Sequence, residues 1–212
     1  GQIKMWLFII KGGPLMALIL TCSVIAFGVF IERLWTLHRA RIDTDKFIEE
    51  IFGLIKRNKI MEALDRCDKT PGPIARIIKT GILKHDRARQ ELRESILDAG
   101  LHEVPRLEKN LNVLATIAHI SPLLGLLGTV TGMVKSFQII QEKAVGLMPV
   151  NPGDLAGGIW EALITTVAGL SVAIPTYVAY NYLVSRVDNA VLDMEKSATE
   201  LVNVLSSKRE VA

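Results

Sequence analysis

The chain has 212 residues, half of them hydrophobic, and carries 25 Lys and Arg against 22 Asp and Glu. That near balance is spread without any basic block interleaved with aromatics, which argues against a nucleic-acid partner. No Ser/His/Asp set, metal-ligand cluster or phosphate-binding glycine loop occurs, so neither an enzyme nor a metal or organic cofactor is expected.

In chain order, the first element is a charge-free run from Gly12 to Ile31. Its length is that of a helix crossing about 30 Å of hydrocarbon. Lys4 and Lys11 precede it, while Arg33, Arg39 and Arg41 follow at once without a convincing small-x-small cleavage site. It reads as a retained span rather than a signal peptide. Two further runs, Leu111 to Val134 with only His119 in it and Ala162 to Ser185, are long enough to span with some tilt. The fold class expected is an all-α membrane protein with three transmembrane helices, the second and third extending into a helical cytoplasmic domain.

Basic residues next to the spans set the orientation. Arg33, Arg39 and Arg41 follow the first, Arg106 and Lys109 precede the second and Arg186 follows the third, whereas the segment from Gln141 to Trp160 holds only Lys143. The N-terminus is therefore expected outside and the C-terminus in the cytoplasm. Trp6, Trp35 and Trp160 stand near span ends, where interfacial aromatics collect. Cys22 lies in the first span and Cys67 in the following loop, so two free thiols are expected.

The loop between the first two spans reads as helical. Asp43 or Thr44 can cap a helix whose apolar face is Phe47, Ile48, Ile51, Leu54 and Ile55, and Asn58 can cap a second, short one. Thr70-Pro71-Gly72-Pro73 is the clearest break, with Pro73 suited to the first turn of a helix striped by Ile74, Ile77, Ile78 and Ile82. From Asp86 the pattern runs on towards the second span, interrupted locally at Gly100 and Pro105. Beyond the third span, Val184, Val187, Val191, Met194, Ala198, Leu201 and Leu205 form a heptad seam. That seam needs a partner, either the chain's own loop helices or another subunit.

Inside the second span, Ala118, Ser121, Pro122, Gly125, Gly128, Thr129, Gly132 and Ser136 share one side. The third has a similar stripe of Ala162, Thr165, Thr166, Gly169, Ala173 and Thr176. Small residues let backbones approach closely where lipid gives helices no hydrophobic drive to associate. Packing and pore lining both remain open for these stripes. Thr129, Thr165 and Thr166 can hold ordered water in a narrow passage, and water wires conduct protons. Glu161 stands at the outer end of the third span, either as an interfacial anchor or as a functional group. Lys135, at the outer end of the second, is expected to pair with it. His119 is expected to hydrogen-bond within the bundle or to modulate a proton path. No Asp or Glu lies deep in any run.

Two longer motifs carry a resemblance. The segment Ile117-Ala118-His119-Ile120-Ser121-Pro122-Leu123-Leu124-Gly125-Leu126-Leu127-Gly128-Thr129-Val130-Thr131-Gly132-Met133 resembles the second-span signature of the ExbB/TolQ family. Ile159-Trp160-Glu161-Ala162-Leu163-Ile164-Thr165-Thr166-Val167-Ala168-Gly169-Leu170, with Ala173-Ile174-Pro175 and Tyr180-Asn181, resembles the third. The resemblance implies a homopentamer in the bacterial inner membrane enclosing a single-span partner of the ExbD/TolR type, which supplies the missing aspartate. It also implies a TonB- or TolA-like protein beyond it, membrane lipid around it and protons as the coupling ion. Thr129 and Thr166 would line the inner surface, Glu161 would match the family's acidic position, and Pro122, Gly125, Gly128, Gly132, Gly169 and Pro175 would pack helices. His119 and Lys135 are not required by the family pattern.

The organisation expected is a periplasmic or interfacial stretch at 1–11, spans at 12–34, 111–141 and 160–185, a helical cytoplasmic domain at 35–110, a periplasmic loop at 142–159 and a cytoplasmic helical tail at 186–212. An ExbB-like role in powering outer-membrane transport is the first expectation, with a TolQ-like role in envelope maintenance beside it. A MotA-like stator fits less well, because it would need four spans. A non-conducting membrane scaffold is the alternative of a different class.

Overall fold

The computed structural model describes residues 12–40 and 43–210; Lys4, Trp6, Lys11, Arg41 and the rest of the stretch expected at 1–11 lie outside the described residues. Among these, every regular element is an α-helix: α1 (Gly13–Ala40), α2 (Thr44–Lys56), α3 (Ile60–Lys69), α4 (Pro73–Leu83), α5 (Arg89–Glu108), α6 (Leu111–Val145) and α7 (Pro152–Glu210). Helices α1, α6 and α7 are long and apolar enough to cross a membrane. The chain divides into two units, one built from residues 12–31 and 110–181 and the other from 32–109 and 182–210.

The first unit is apolar outside and small inside. Val24, Phe27, Leu123, Leu126, Val167 and Ile174 are each about 60% exposed or more, an arrangement that suits lipid as solvent. The faces turned inward carry Met16, Ile19 and Ala26 from α1, Ser121, Gly125, Gly128, Gly132 and Ser136 from α6, and Ala162, Thr165, Gly169 and Ala173 from α7. Six residues, 146–151, connect α6 to α7, short enough to fold the two helices back on each other.

The second unit packs conventionally. Helix α2 opens at Asp43, whose carboxylate accepts the amide of Lys46 at 3.4 Å and pairs with its ammonium at 2.6 Å. That side-chain contact holds the Asp43 carboxyl below its ordinary value and raises Lys46. Phe47, Ile48, Ile51 and Ile55 form the buried face of α2.

Asn58 does not cap the next helix, contrary to expectation; it closes the previous one. At φ 62 it adopts the left-handed conformation, donates to Ile55 O at 3.1 Å and lets Lys59 donate to Leu54 O at 3.0 Å. These are the paired bonds of a Schellman ending, in which Asn tolerates the position usually given to Gly. Lys59 caps α3 instead, without a side-chain bond.

Pro73 occupies the first turn of α4, where a missing amide donor costs nothing. This helix is the centre of the unit, with Ile74, Ala75, Ile77, Ile78, Gly81 and Ile82 all buried. Gly81 is held between Leu201 of α7 and Ile96 of α5, leaving no room for a Cβ. The seam on α7, with Val187, Met194, Ala198, Leu201 and Leu205 buried, thus finds part of its cover in the chain's own loop helices.

Contrary to the expectation from the sequence, neither Gly100 nor Pro105 interrupts α5; the helix runs through both to Glu108. The carbonyl that Pro105 leaves unpaired belongs to Leu101, a residue 70% exposed, so water can satisfy it. The break falls at Asn110, at φ 62. Glu103 of the same helix is buried and ion-paired to Arg76 of α4 and to Arg106 at 2.9 Å. Arg33, only 3% exposed, donates to the Arg106 carbonyl at 3.5 Å and to Glu32 at 2.8 Å.

Candidate functional site

In the first unit the two small-residue stripes face each other in antiparallel order. A Cβ added at Gly169 would lie 2.5 Å from the Ser121 carbonyl, and one at Gly125 would lie 3.0 Å from Thr166 Cα. Backbone therefore meets backbone at this level, which only glycine permits. Further along, Gly128 abuts the Thr165 side chain, and Gly132 faces Ala162 and the Gly158 carbonyl. Ser136 donates to Gly132 O at 3.2 Å and reaches Leu155 O at 3.4 Å.

The three threonines are placed differently. Thr166 is partly exposed and donates across the helix pair to Gly125 O at 3.1 Å. Thr129, one turn along α6 from Gly125 and also partly exposed, donates to Leu126 O at 2.6 Å. Each hydroxyl has spent its proton on a carbonyl and keeps lone pairs for a donor arriving from the open side. Thr165 has no exposed surface, and its hydroxyl turns back to Ala162 O at 2.9 Å and Glu161 O at 3.0 Å. What Thr165 offers is contact with Gly128.

Glu161 and Lys135 meet as a two-pronged ion pair, with Nζ 2.6 and 2.7 Å from the carboxylate oxygens. The glutamate side chain is 17% exposed and the lysine 50%, so a mostly buried carboxylate is matched by a cation that still reaches outward. The same carboxylate touches Gly13, the first residue of α1, where φ is +65° and an added Cβ would collide with Oε1. A helix N-terminus carries partial positive charge. One carboxylate thus ties the first residue of α1 to α6 and α7, ten residues before α6 ends and nine after α7 begins.

His119 does not join this group. Its Nδ1 lies 2.6 Å from Ala115 O on its own helix, on an exposed face, and ten residues separate it from Thr129, about 15 Å along the axis. Pro122 is partly exposed and Pro175 exposed, while Gly125, Gly128, Gly132 and Gly169 are buried. Gly13 and Gly158 belong to the same close contacts, and the Gly157-Gly158 pair just before Trp160 is the sequence signal for close approach. Cys22 and Cys67 are both free thiols.

Three long apolar helices, two of them joined through glycine contacts and pinned by an ion pair at one end, define a polytopic helical membrane protein. Residues 69–196 match the MotA/TolQ/ExbB proton channel family, and the chain belongs to that family. It is 30% identical over 203 residues to the Tol-Pal system protein TolQ of Haemophilus influenzae, covering 90% of this chain and 86% of that protein. It is 44% identical over 89 residues to the biopolymer transport protein ExbB of Aquifex aeolicus, covering 42% of this chain and 57% of the relative. An ExbB homolog of Methanothermobacter thermautotrophicus is 29% identical over 186 residues, and there the chain spans 64% of the relative's length against 87% of its own.

Proposed function

We propose that the chain is the channel-forming subunit of a proton-driven motor in the inner membrane, with spans at 12–34, 111–141 and 160–185, its N-terminus periplasmic and its C-terminus cytoplasmic. Five copies enclose the single helix of an ExbD/TolR-like partner, whose carboxylate carries the proton. The observation that bears most weight is the family match, because it takes in Thr129, Glu161 and Thr166 together.

Thr129 and Thr166 line the passage on this reading, Glu161 with Lys135 stands at its outer end, and Thr165 supports the lining from behind. A hydroxyl already bonded to a carbonyl accepts from a protonated carboxyl, which stabilises the neutral acid beside it. Once neutral, the partner's side chain can cross an apolar sector, since an unpaired charge in low dielectric is costly. Protons moving in one direction then turn or rock the enclosed helix.

ExbB-like work, energising TonB-dependent transport across the outer membrane, is the first of two roles. The relation to a TolQ over 90% of the chain keeps a Tol-Pal role, with a TolA-like protein, as the second. Copurification with a TonB-like or a TolA-like protein distinguishes the two.

The test is proton flux, read with a pH dye in vesicles holding this chain alone or with its single-span partner. Flux is expected only with both. Flux from the chain alone would remove the need for a partner carboxylate, and an assembled complex without flux would make the protein a non-conducting scaffold.

A further inference from the structure

Helix α7 carries a polar stripe beside its apolar seam. Tyr182, Arg186, Asn189, Asp193 and Lys196 recur at steps of four and three, which puts them on one face. Within the second unit this face forms one wall of a cavity of about 850 Å³, in the size range of small-molecule sites. Leu34, Leu37, Ile74 and Leu107 supply apolar lining, and Asp45 adds a carboxylate at the start of α2.

Asp43 also lines this space but is held by Lys46 at 2.6 Å; charges of both signs besides it face the cavity without tight partners. The Arg186 guanidinium donates only to the Tyr182 hydroxyl, at 2.8 and 3.1 Å, and lies 5.1 Å from the centre of its ring. Among the described residues no carboxylate pairs with it. The Asp193 carboxylate likewise has no ion pair among the described residues, and Lys196 stands 3.8 Å from Asp45. Arg186 and Asp193 are seven residues apart, so about 10 Å separates them along the helix axis.

The position of the cavity along the chain decides what can reach it. Leu34 follows the end of the first charge-free run by three residues, and Tyr182 lies three residues before the third run ends. If those runs span the bilayer, as the functional reading holds, these two lining residues stand at the level of the phospholipid headgroups.

We propose that this cavity is a headgroup site for a zwitterionic aminophospholipid. The phosphate sits on Arg186, the ammonium sits between Asp193 and Asp45, and the acyl chains leave along Leu34 and Leu37. Guanidinium and phosphate form strong charge-assisted hydrogen bonds. A headgroup that also carries an ammonium leaves neither set of protein charges uncompensated, whereas phosphatidylglycerol would leave two carboxylates facing a phosphate.

The experiment is native mass spectrometry of the full-length chain in detergent with phosphatidylethanolamine and phosphatidylglycerol added in equal amounts, after carbonate extraction of the source membranes. Wild type is expected to stay with the membrane and to retain phosphatidylethanolamine about tenfold over phosphatidylglycerol. Asp193→Asn combined with Asp45→Asn should abolish that preference while leaving phosphate-dependent binding, and Arg186→Gln should weaken retention of both lipids. Equal retention of the two lipids by wild type would overturn the site, as would a preference unchanged in the double Asn variant. Release of the chain by carbonate would overturn the membrane reading itself.

Discussion

The two units of this chain solve the packing problem with opposite materials. In the second unit the fully buried side chains are Ile51, Ile55, Ile77, Ile78, Ile82, Leu92, Ile96, Leu183 and Leu201, whereas in the first they include only two large aliphatics, Ile19 and Leu114, together with Thr165. Met16, Leu111, Ile117 and Ile164 are buried there too, but most of its large apolar residues face outward, and glycine, alanine, serine and threonine take much of the interior. Where water is the solvent, removing aliphatic surface from it drives association. Where lipid is the solvent that drive vanishes, and close backbone contact with interhelical hydrogen bonds replaces it.

The largest test of this contrast is a truncation. Ile78→Ala should cost the second unit about 2 to 5 kcal/mol, the range for emptying a packed aliphatic site, and expose it to limited trypsin digestion at lower temperature. Leu123→Ala, on the outward face of the first unit, should leave the melting of the detergent-solubilised chain nearly unchanged. Similar losses at both sites would break the comparison.

The buried Glu103 gives the next effect. Removing both guanidiniums, Arg76→Ala with Arg106→Ala, leaves a buried carboxylate without cations and should destabilise by about 2 to 3 kcal/mol. Glu103→Leu leaves two arginines that can turn to water and should cost less. Equal losses in thermal unfolding would mean that burial of the carboxylate is not what matters.

Gly169→Val sharpens the other side. Its side chain would strike the Ser121 carbonyl rather than a movable side chain, and overpacking of this kind costs about 1 to 3 kcal/mol. The expected readout is a lower melting temperature of the detergent-solubilised protein, with unit-two proteolysis unaltered.

The smallest effect concerns Cys67. Burial, and then the charge of Asp68, push its thiol from the ordinary 9.0 up to about 11. The neutral thiol is the form favoured by folding, so this stabilisation is complete below about pH 9 and is lost as pH rises towards 11. Maleimide labelling at pH 8 should be slow in the native chain and fast after denaturation; rapid native labelling would show that the site is open.

Much of this organisation is legible in the sequence because the periodicities are strong. Charge-free runs, the isoleucine stripe of α4 and the small-residue stripes all follow helical spacing, and Lys135 and Glu161 stand where spans joined by a short connection must bring them together. Asn58 and Asn110 were less legible, since asparagine serves both helix starts and left-handed endings. The difference between Thr165 and Thr166 was hidden as well. Adjacent residues on a helix differ by about 100° in direction, and only the position of Gly125 and Gly128 opposite them decides which hydroxyl is enclosed.

That difference is also where the functional reading is most exposed to test. Proton flux should be measured in vesicles holding the chain with its single-span partner, comparing Thr129→Val, Thr166→Val and Thr165→Val at equal assembly. Flux that falls in the first two and persists in the third is the expected result. Flux unchanged in both Thr129→Val and Thr166→Val would contradict a passage lined by these hydroxyls and return both residues to helix packing.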